Sequence, residues 1–143
     1  NDIMAADKKI SGILIENNIK GNRIKYSVIG IGININQREF KNFPNATSIF
    51  IQTGKLNSVE TIAKELQEAL EKNFNLFKIN ENELIKIYNS LLYRKNENSN
   101  FSLDDMTKFK GKIIKVGIDG EITISVSNKQ LLKYSESEIK LII

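Results

Sequence analysis

The sequence contains no cysteine and no histidine, and these two absences remove whole classes of chemistry. Disulfides, thiolate nucleophiles, imidazole general bases and zinc sites built on sulfur or imidazole are excluded. Any catalysis must rest on lysine, arginine, carboxylates, amides, hydroxyls or the backbone. Long apolar runs are also missing: nothing approaches the roughly 20 residues that span a bilayer, and the N-terminus carries no signal-peptide pattern. A soluble, cytoplasmic protein with no membrane partner is expected. Proline is nearly absent, Pro44 being the only one.

The 21 lysines and arginines exceed the 17 acids, for a net charge of +4 and a pI near 9.2. The excess is mild and interleaved along the chain, with no basic run. A nucleic-acid footprint would gather its cations on one stripe, so coding bias toward lysine, asparagine and isoleucine accounts for the charge better, and nucleic acid is not an expected partner. At 143 residues the chain can bury a real core as one domain, or as one domain plus a small appendage. It begins at Asn1 without an initiator methionine and reads as a fragment of a longer protein.

Two β-branched stretches, Lys9 to Glu16 (KISGILIE) and Lys25 to Ile35 (KYSVIGIGINI), flank the polar segment from Asn17 to Arg23. They predict two antiparallel strands joined by a hairpin loop. Pro44 and Ala46-Thr47-Ser48-Ile49 lie in the loop that follows, which Gly54-Lys55 closes. Asn57 with Glu60 three residues on is a capping-box pattern. Beyond it Val59, Ile62, Ala63, Leu66, Leu70, Phe74 and Phe77 repeat at helical spacing. A second helix starts at Asn80, with Leu84, Ile87, Tyr88, Leu91 and Leu92 on one face. The polar stretch from Asn96 to Asn100 reads as a linker. After it come KGKIIKVGI, an Asp119-Gly120 turn of type I′ signature, EITISVS, an Asn128-Lys129 turn, QLLKY, a turn at Ser135 to Glu138, and IKLII. So many short strands in so few residues predict a small barrel.

One strand carries a chemical question. Ile29, Ile31, Ile33 and Ile35 share one face, while Gly30, Gly32, Asn34 and Asn36 share the other. Interior glycine weakens a strand by roughly 0.5–1 kcal/mol relative to alanine, so two in register need a reason. The pattern leaves two possibilities open. The bare face could admit a flat ligand, with asparagine beyond it offering an acceptor and two donors, or it could be solvated or packed beneath a helix. Lys9 could be an ordinary surface cation, Asn1-Asp2 a turn or helix cap, and Gly12 a bulge.

Three segments in order, NDIMAADKKISGILIE, VIGIGININQ and FPNATSI, resemble the catalytic domain of biotin protein ligases. That family reads Lys-Trp-Pro-Asn-Asp, then Lys-(Leu/Ile)-(Ala/Ser)-Gly-Ile-Leu-(Val/Ile)-Glu, Gly-(Ile/Ala)-Gly-Ile-Asn-(Val/Ile)-Asn, and a Pro…Ala-Thr-Ser-(Leu/Ile) loop. The resemblance covers nearly the whole chain. It implies an α+β fold: part of a class II synthetase-like mixed or antiparallel sheet with helices over residues 1–97, then a small Src-homology-3-like β-barrel over 98–143.

The resemblance further implies a ligase that joins biotin and ATP into biotinyl-5′-adenylate and passes biotin to a lysine of a biotin carboxyl carrier protein. By it, Lys9 is the catalytic cation beside the biotin carboxylate and the α-phosphate. Gly12, Gly30 and Gly32 let biotin and the adenylate lie against the sheet, Asn34 lies near the triphosphate and its magnesium, and Asn1 and Asp2 lie by the adenylate. Magnesium would be held mainly by phosphates and water, with no dedicated metal site in the protein. The family's Lys-Trp-Pro and its upstream Gly-Arg-Gly-Arg-type loop have no counterpart here, which implies an inactive isolated fragment. Homodimerisation is possible in this reading. The alternatives are a lipoate ligase, or a non-catalytic module in which the barrel docks a partner.

Overall fold

A computed structural model describes residues 1–142. The chain divides into two units, Asn1–Gln67 and Glu68–Ile143, and its class is α+β, with two antiparallel sheets and few helices. The last residue of the IKLII strand, Ile143, lies outside the described residues.

The first unit is built on a three-stranded antiparallel sheet in the order β1-β2-β3. β1 is Asp2–Ala5, β2 Lys8–Lys20 and β3 Arg23–Ile33. β1 was not legible in the sequence, because its turn, Ala6-Asp7, holds neither glycine nor asparagine. Ala6 and Asp7 both hold positive φ, 47° and 61°, the requirement of a type I′ turn that Asn-Gly ordinarily meets.

The hairpin joining β2 to β3 is also tighter than its polar sequence predicts. Instead of a loop from Asn17 to Arg23, the strands pair out to Lys20 and Arg23. The turn is Gly21-Asn22, with Gly21 at φ 63°. Pairing persists through the polar residues because a strand with two exposed faces needs no apolar side chain. Ser27, opposite Asn17, donates its hydroxyl to the Asn17 Oδ1 at 2.6 Å. β3 ends at Ile33, two residues short of the predicted strand.

Past Ile33 the chain folds back on β2. The 45–47 segment takes the place of β3 and runs parallel to β2: the Lys9 N–H donates to the Asn45 carbonyl at 2.7 Å, and the Thr47 N–H donates to the Lys9 carbonyl at 2.8 Å. Ser48 then caps α1 (Ile49–Thr53) through its hydroxyl, and Gly54 ends that helix in the left-handed conformation. α2 (Val59–Ile79) begins in this unit and ends in the next. Its cap is Ser58, whose Oγ accepts from the Thr61 N–H, and not the predicted Asn57. Ser58 also donates to Glu60 at 2.7 Å, which holds that carboxyl below its ordinary range. The first unit's buried side chains are polar: Ser11, Thr47 and Ser48.

The second unit contains the apolar core. α3 (Glu81–Ser90) starts at the predicted Asn80 cap, whose side chain accepts from the Glu83 N–H. Five antiparallel strands follow in the order β7-β6-β5-β4-β8: β4 Ser99–Leu103, β5 Lys108–Val116, β6 Ile122–Val126, β7 Leu131–Tyr134 and β8 Ile139–Ile142. The predicted linker is folded, since Ser99 and Asn100 open β4 and the Asn96 N–H donates to the Ile113 carbonyl. Among the described residues the end strands β7 and β8 pair with β6 and β4 and not with each other. At Asp119-Gly120 only the glycine has positive φ, 81°. With Gly120 N–H bonded to the Gly117 carbonyl, the turn is a type I turn closed by a glycine bulge, and the type I′ expectation is corrected.

Phe101, Ile113 and Ile124 are buried at the centre of this sheet, with Leu92, Phe109, Tyr134, Ile139 and Leu141 packed around them. Phe109 stacks between Phe101 and Tyr134, at centroid distances of 5.5 and 5.9 Å. Asn89, which no sequence pattern singled out, is buried and joins α3 to β5: its amide donates to the Val116 carbonyl at 2.9 Å and accepts from the Val116 N–H at 2.8 Å. Gly111 has no room for a side chain, because a Cβ there would lie 2.5 Å from Ile124 Cγ2 and 3.1 Å from the Ser125 carbonyl. Gly111→Ala should therefore destabilise the fold by about 1–3 kcal/mol through overpacking, seen as a lower urea midpoint at unchanged slope. A midpoint equal to that of the parent protein would contradict this packing.

Candidate functional site

The glycine face is defined by the register of three strands. Asp2 pairs with Gly12 and Gly12 with Gly32, so one row across the sheet reads Asp2, Gly12, Gly32; Leu14 and Gly30 form the next row on that face. Around Gly32 nothing lies within 4 Å of a built Cβ, and at Gly30 only the Leu14 carbonyl does, at 3.8 Å. Within the first unit the described residues therefore leave the face open at Gly30 and Gly32. Ile13, Ile31 and Ile33, on the opposite side, are half-buried.

Lys9 reaches this face through an irregularity in the pairing. Counting back by twos from Gly12 leads to Lys8, since alternate residues of a strand share a side. A β-bulge intervenes: Ile3 pairs with Ser11 but Met4 with Lys9, leaving Ile10 as the extra residue. The bulge reverses the alternation, a known way of re-aiming a side chain. Met4 and Lys9 thereby join Asp2 and Gly12. The Lys9 Nζ lies 2.6 Å from Asp2 Oδ1 and 3.5 Å from where a Cβ of Gly12 would stand. The ammonium is thus held above the bare backbone by a carboxylate one strand away, and both side chains remain nearly half exposed, 47% and 45%. Asn1 contributes its carbonyl, which accepts from the Ile13 N–H.

The two asparagines beyond β3 divide their tasks. Asn34 donates its main-chain N–H to the Ile10 carbonyl at 2.9 Å and its side-chain amide to the Thr47 carbonyl at 3.0 Å. Its Oδ1 has no donor among the described residues. Asn36 is engaged at both ends of its amide: it donates to the Asn57 carbonyl at 2.8 Å, and its Oδ1 accepts from the Asn57 N–H at 3.0 Å. It therefore fixes the approach to α2.

Thr47, Ser48 and Gln52 complete the support and were missed as candidates. Thr47 and Ser48 are fully buried. Ser48 bonds the Gln37 carbonyl and the Ile51 N–H, and the Gln52 amide donates to the Thr47 hydroxyl at 2.8 Å. Thr47 and Ser48 lie in the FPNATSI segment that carries part of the resemblance, which was the signal of this role; Gln52 had none.

Lys9, Asp2, Gly12 and Gly32 thus come together at one end of the sheet with Asn34 beside them. Among the described residues no group of three or more carboxylates could hold a metal ion, and no helix is long and apolar enough to cross a membrane.

The fold of the chain is similar to that of solved biotin protein ligase structures. The apo structure of biotin protein ligase from Aquifex aeolicus matches 99% of this chain with a TM-score of 0.78 at 24% sequence identity. The same ligase in complex with biotin and ATP matches with the same score, coverage and identity, and a further crystal structure of it is 25% identical. The chain spans 62% and 59% of the length of the first two. No protein-family model matches the sequence, and neither does any curated protein.

Asn36→Ala should remove both bonds to Asn57, each worth about 0.5–1.5 kcal/mol net. Amide hydrogen exchange at Asn57 should then accelerate at least several-fold while exchange in β5 is unchanged. Equal protection of Asn57 in both proteins would show that Asn36 does not anchor this loop.

Proposed function

We propose that this chain supplies the adenylate-binding sheet of a biotin protein ligase. The observation that carries the proposal is the ammonium of Lys9 held over an open glycine row. The reading is supported by the match to a ligase whose structure is known with biotin and ATP, and by the motifs in Asn1–Glu16 and Val28–Gln37.

In this mechanism the biotin carboxylate attacks the α-phosphorus of ATP, the bond to the departing phosphate breaks, and biotinyl-5′-adenylate and pyrophosphate form. A carrier lysine then attacks the acyl carbon, giving an amide and AMP with loss of a proton. Lys9 leaves Asp2 for the two anionic groups, brings them together and stabilises the charge that builds at phosphorus. A charge-assisted contact of this kind contributes about 1.5–3 kcal/mol, and it raises the rate if it strengthens in the transition state. Gly12, Gly30 and Gly32 admit the ligand to the backbone. Asn1 and Asp2 line the adenylate side.

Magnesium suits this donor set as a phosphate-bound, hydrated ion, where it would neutralise phosphate charge. Asn34, whose Oδ1 accepts no hydrogen bond among the described residues, would be the protein residue that meets it. We assign residues 1–97 to the catalytic part and 98–143 to an accessory domain, with a biotin carboxyl carrier protein as acceptor.

Two substitutions test the site. In the full-length protein, Lys9→Ala should lower kcat/KM for adenylate formation at least ten-fold, about 1.4 kcal/mol or more. Its stability should barely change, because an exposed ion pair contributes only about 0–1 kcal/mol. Undiminished turnover would defeat the role of Lys9. Gly32→Ala adds a methyl into open space and should fold normally, yet it should weaken binding of a non-hydrolysable biotinyl-adenylate analogue by calorimetry. Unweakened binding would mean that the ligand does not lie on this row.

A further inference from the structure

The cations of the second sheet are interleaved in sequence but segregated in space. Phe109, Gly111 and Ile113 of β5 point into the core, so Lys108, Lys110 and Lys112 stand together on the outer face, all exposed. Lys140 of β8 joins them, since its partner Ser102 pairs with Lys108. No acidic residue lies in any of the five strands; Asp104, Asp105, Asp119, Glu121, Glu136 and Glu138 all fall between them. Glu121 and Asp119 neutralise Lys133, at 3.0 and 3.9 Å. Lys108, Lys110, Lys112, Lys129 and Lys140 have no ion pair among the described residues.

The face is also concave. Lys110, Lys112 and Lys129 border a cavity of about 550 Å³ lined by Asn98, Ser125 and Ser127. Lys129 holds φ 62°, a conformation usually left to glycine, so the turn carries a cation where a smaller residue would fit more easily.

We propose that this outer face docks the phosphate backbone of a nucleic acid without reading its sequence. The spacing supports that partner. Lysines two residues apart on a strand stand about 6.8 Å apart, and adjacent phosphates of one duplex strand, which rise about 3.4 Å along the axis while turning around it, also stand roughly 7 Å apart. Amides and hydroxyls between the lysines are suitable donors to phosphate oxygens. A protein partner is disfavoured because the face offers neither arginine nor aromatic anchors, whereas protein interfaces are depleted in lysine. A membrane is disfavoured because a fluid surface imposes no such register. This inference stands apart from the ligase reading.

The test is fluorescence anisotropy of the full chain with a labelled duplex of about 20 base pairs, titrated from about 50 to 200 mM KCl. Binding with Kd about 10⁻⁴–10⁻⁶ M and a log–log salt slope of roughly −3 to −4 is expected. The triple variant Lys108→Gln, Lys110→Gln, Lys112→Gln should flatten the slope by about 2.7, whereas replacing the three with arginine should preserve it. Removing equal charge through Lys20→Gln, Lys25→Gln and Lys41→Gln should leave the slope as it is. Equal loss in both glutamine triples, absence of binding at low salt, or tighter binding to phosphatidylserine vesicles than to the duplex would each overturn the proposal.

Discussion

The first unit depends on how β2 is held at its start. On one edge a bulge against β1 admits the extra residue Ile10; on the other, both main-chain groups of Lys9 are taken by Asn45 and Thr47. Between these restraints the backbone of Lys9 has little freedom, and its side chain is directed to Asp2 above Gly12. The support is polar because the region has almost no apolar interior. Thr47, Ser48 and Ser11 are buried where a core would stand, and hydrogen bonds with fixed geometry position a side chain more narrowly than aliphatic contacts of the same size. The proposed chemistry, carried by one ammonium, would need that narrow placement.

Legibility in the sequence followed physical cause. β-Branched content announced β2 and β3, in β3 reinforced by an isoleucine alternation whose period of two matches a strand and not a helix, and the Asn80 cap was visible because its bonds are local. Long-range bonds were not. The main chain of Asn57 is held by Asn36, 21 residues distant, while its side chain donates to the Lys55 carbonyl and Ser58 caps α2. β1 was hidden by a turn of alanine and aspartate, and β4 by the polar residues that precede Phe101. The candidate site was legible as composition and illegible as geometry: glycine and lysine could be picked out, but alternation alone places Lys8 with the glycines, and only the bulge substitutes Lys9.

The second unit follows different rules. Its stability comes from aromatic and aliphatic burial around Phe101, Ile113 and Ile124, packed so closely that glycine is the only residue type that fits at Gly111. The outer face of the same strands is free of that demand and accumulates lysine. One sheet thus satisfies folding on one side and leaves charge available on the other, while in the first unit the face that would bind ligand is also the one with the fewest side chains.

The most direct measurement of the central claim is a crystal structure of the full-length protein with a sulfamoyl analogue of biotinyl-5′-adenylate. The account predicts that Lys9 Nζ is within hydrogen-bonding distance of the analogue's acyl or sulfamoyl oxygens, with the ligand in van der Waals contact with the backbone of Gly12 and Gly32. An analogue bound elsewhere, with Lys9 still closed on Asp2, would contradict it.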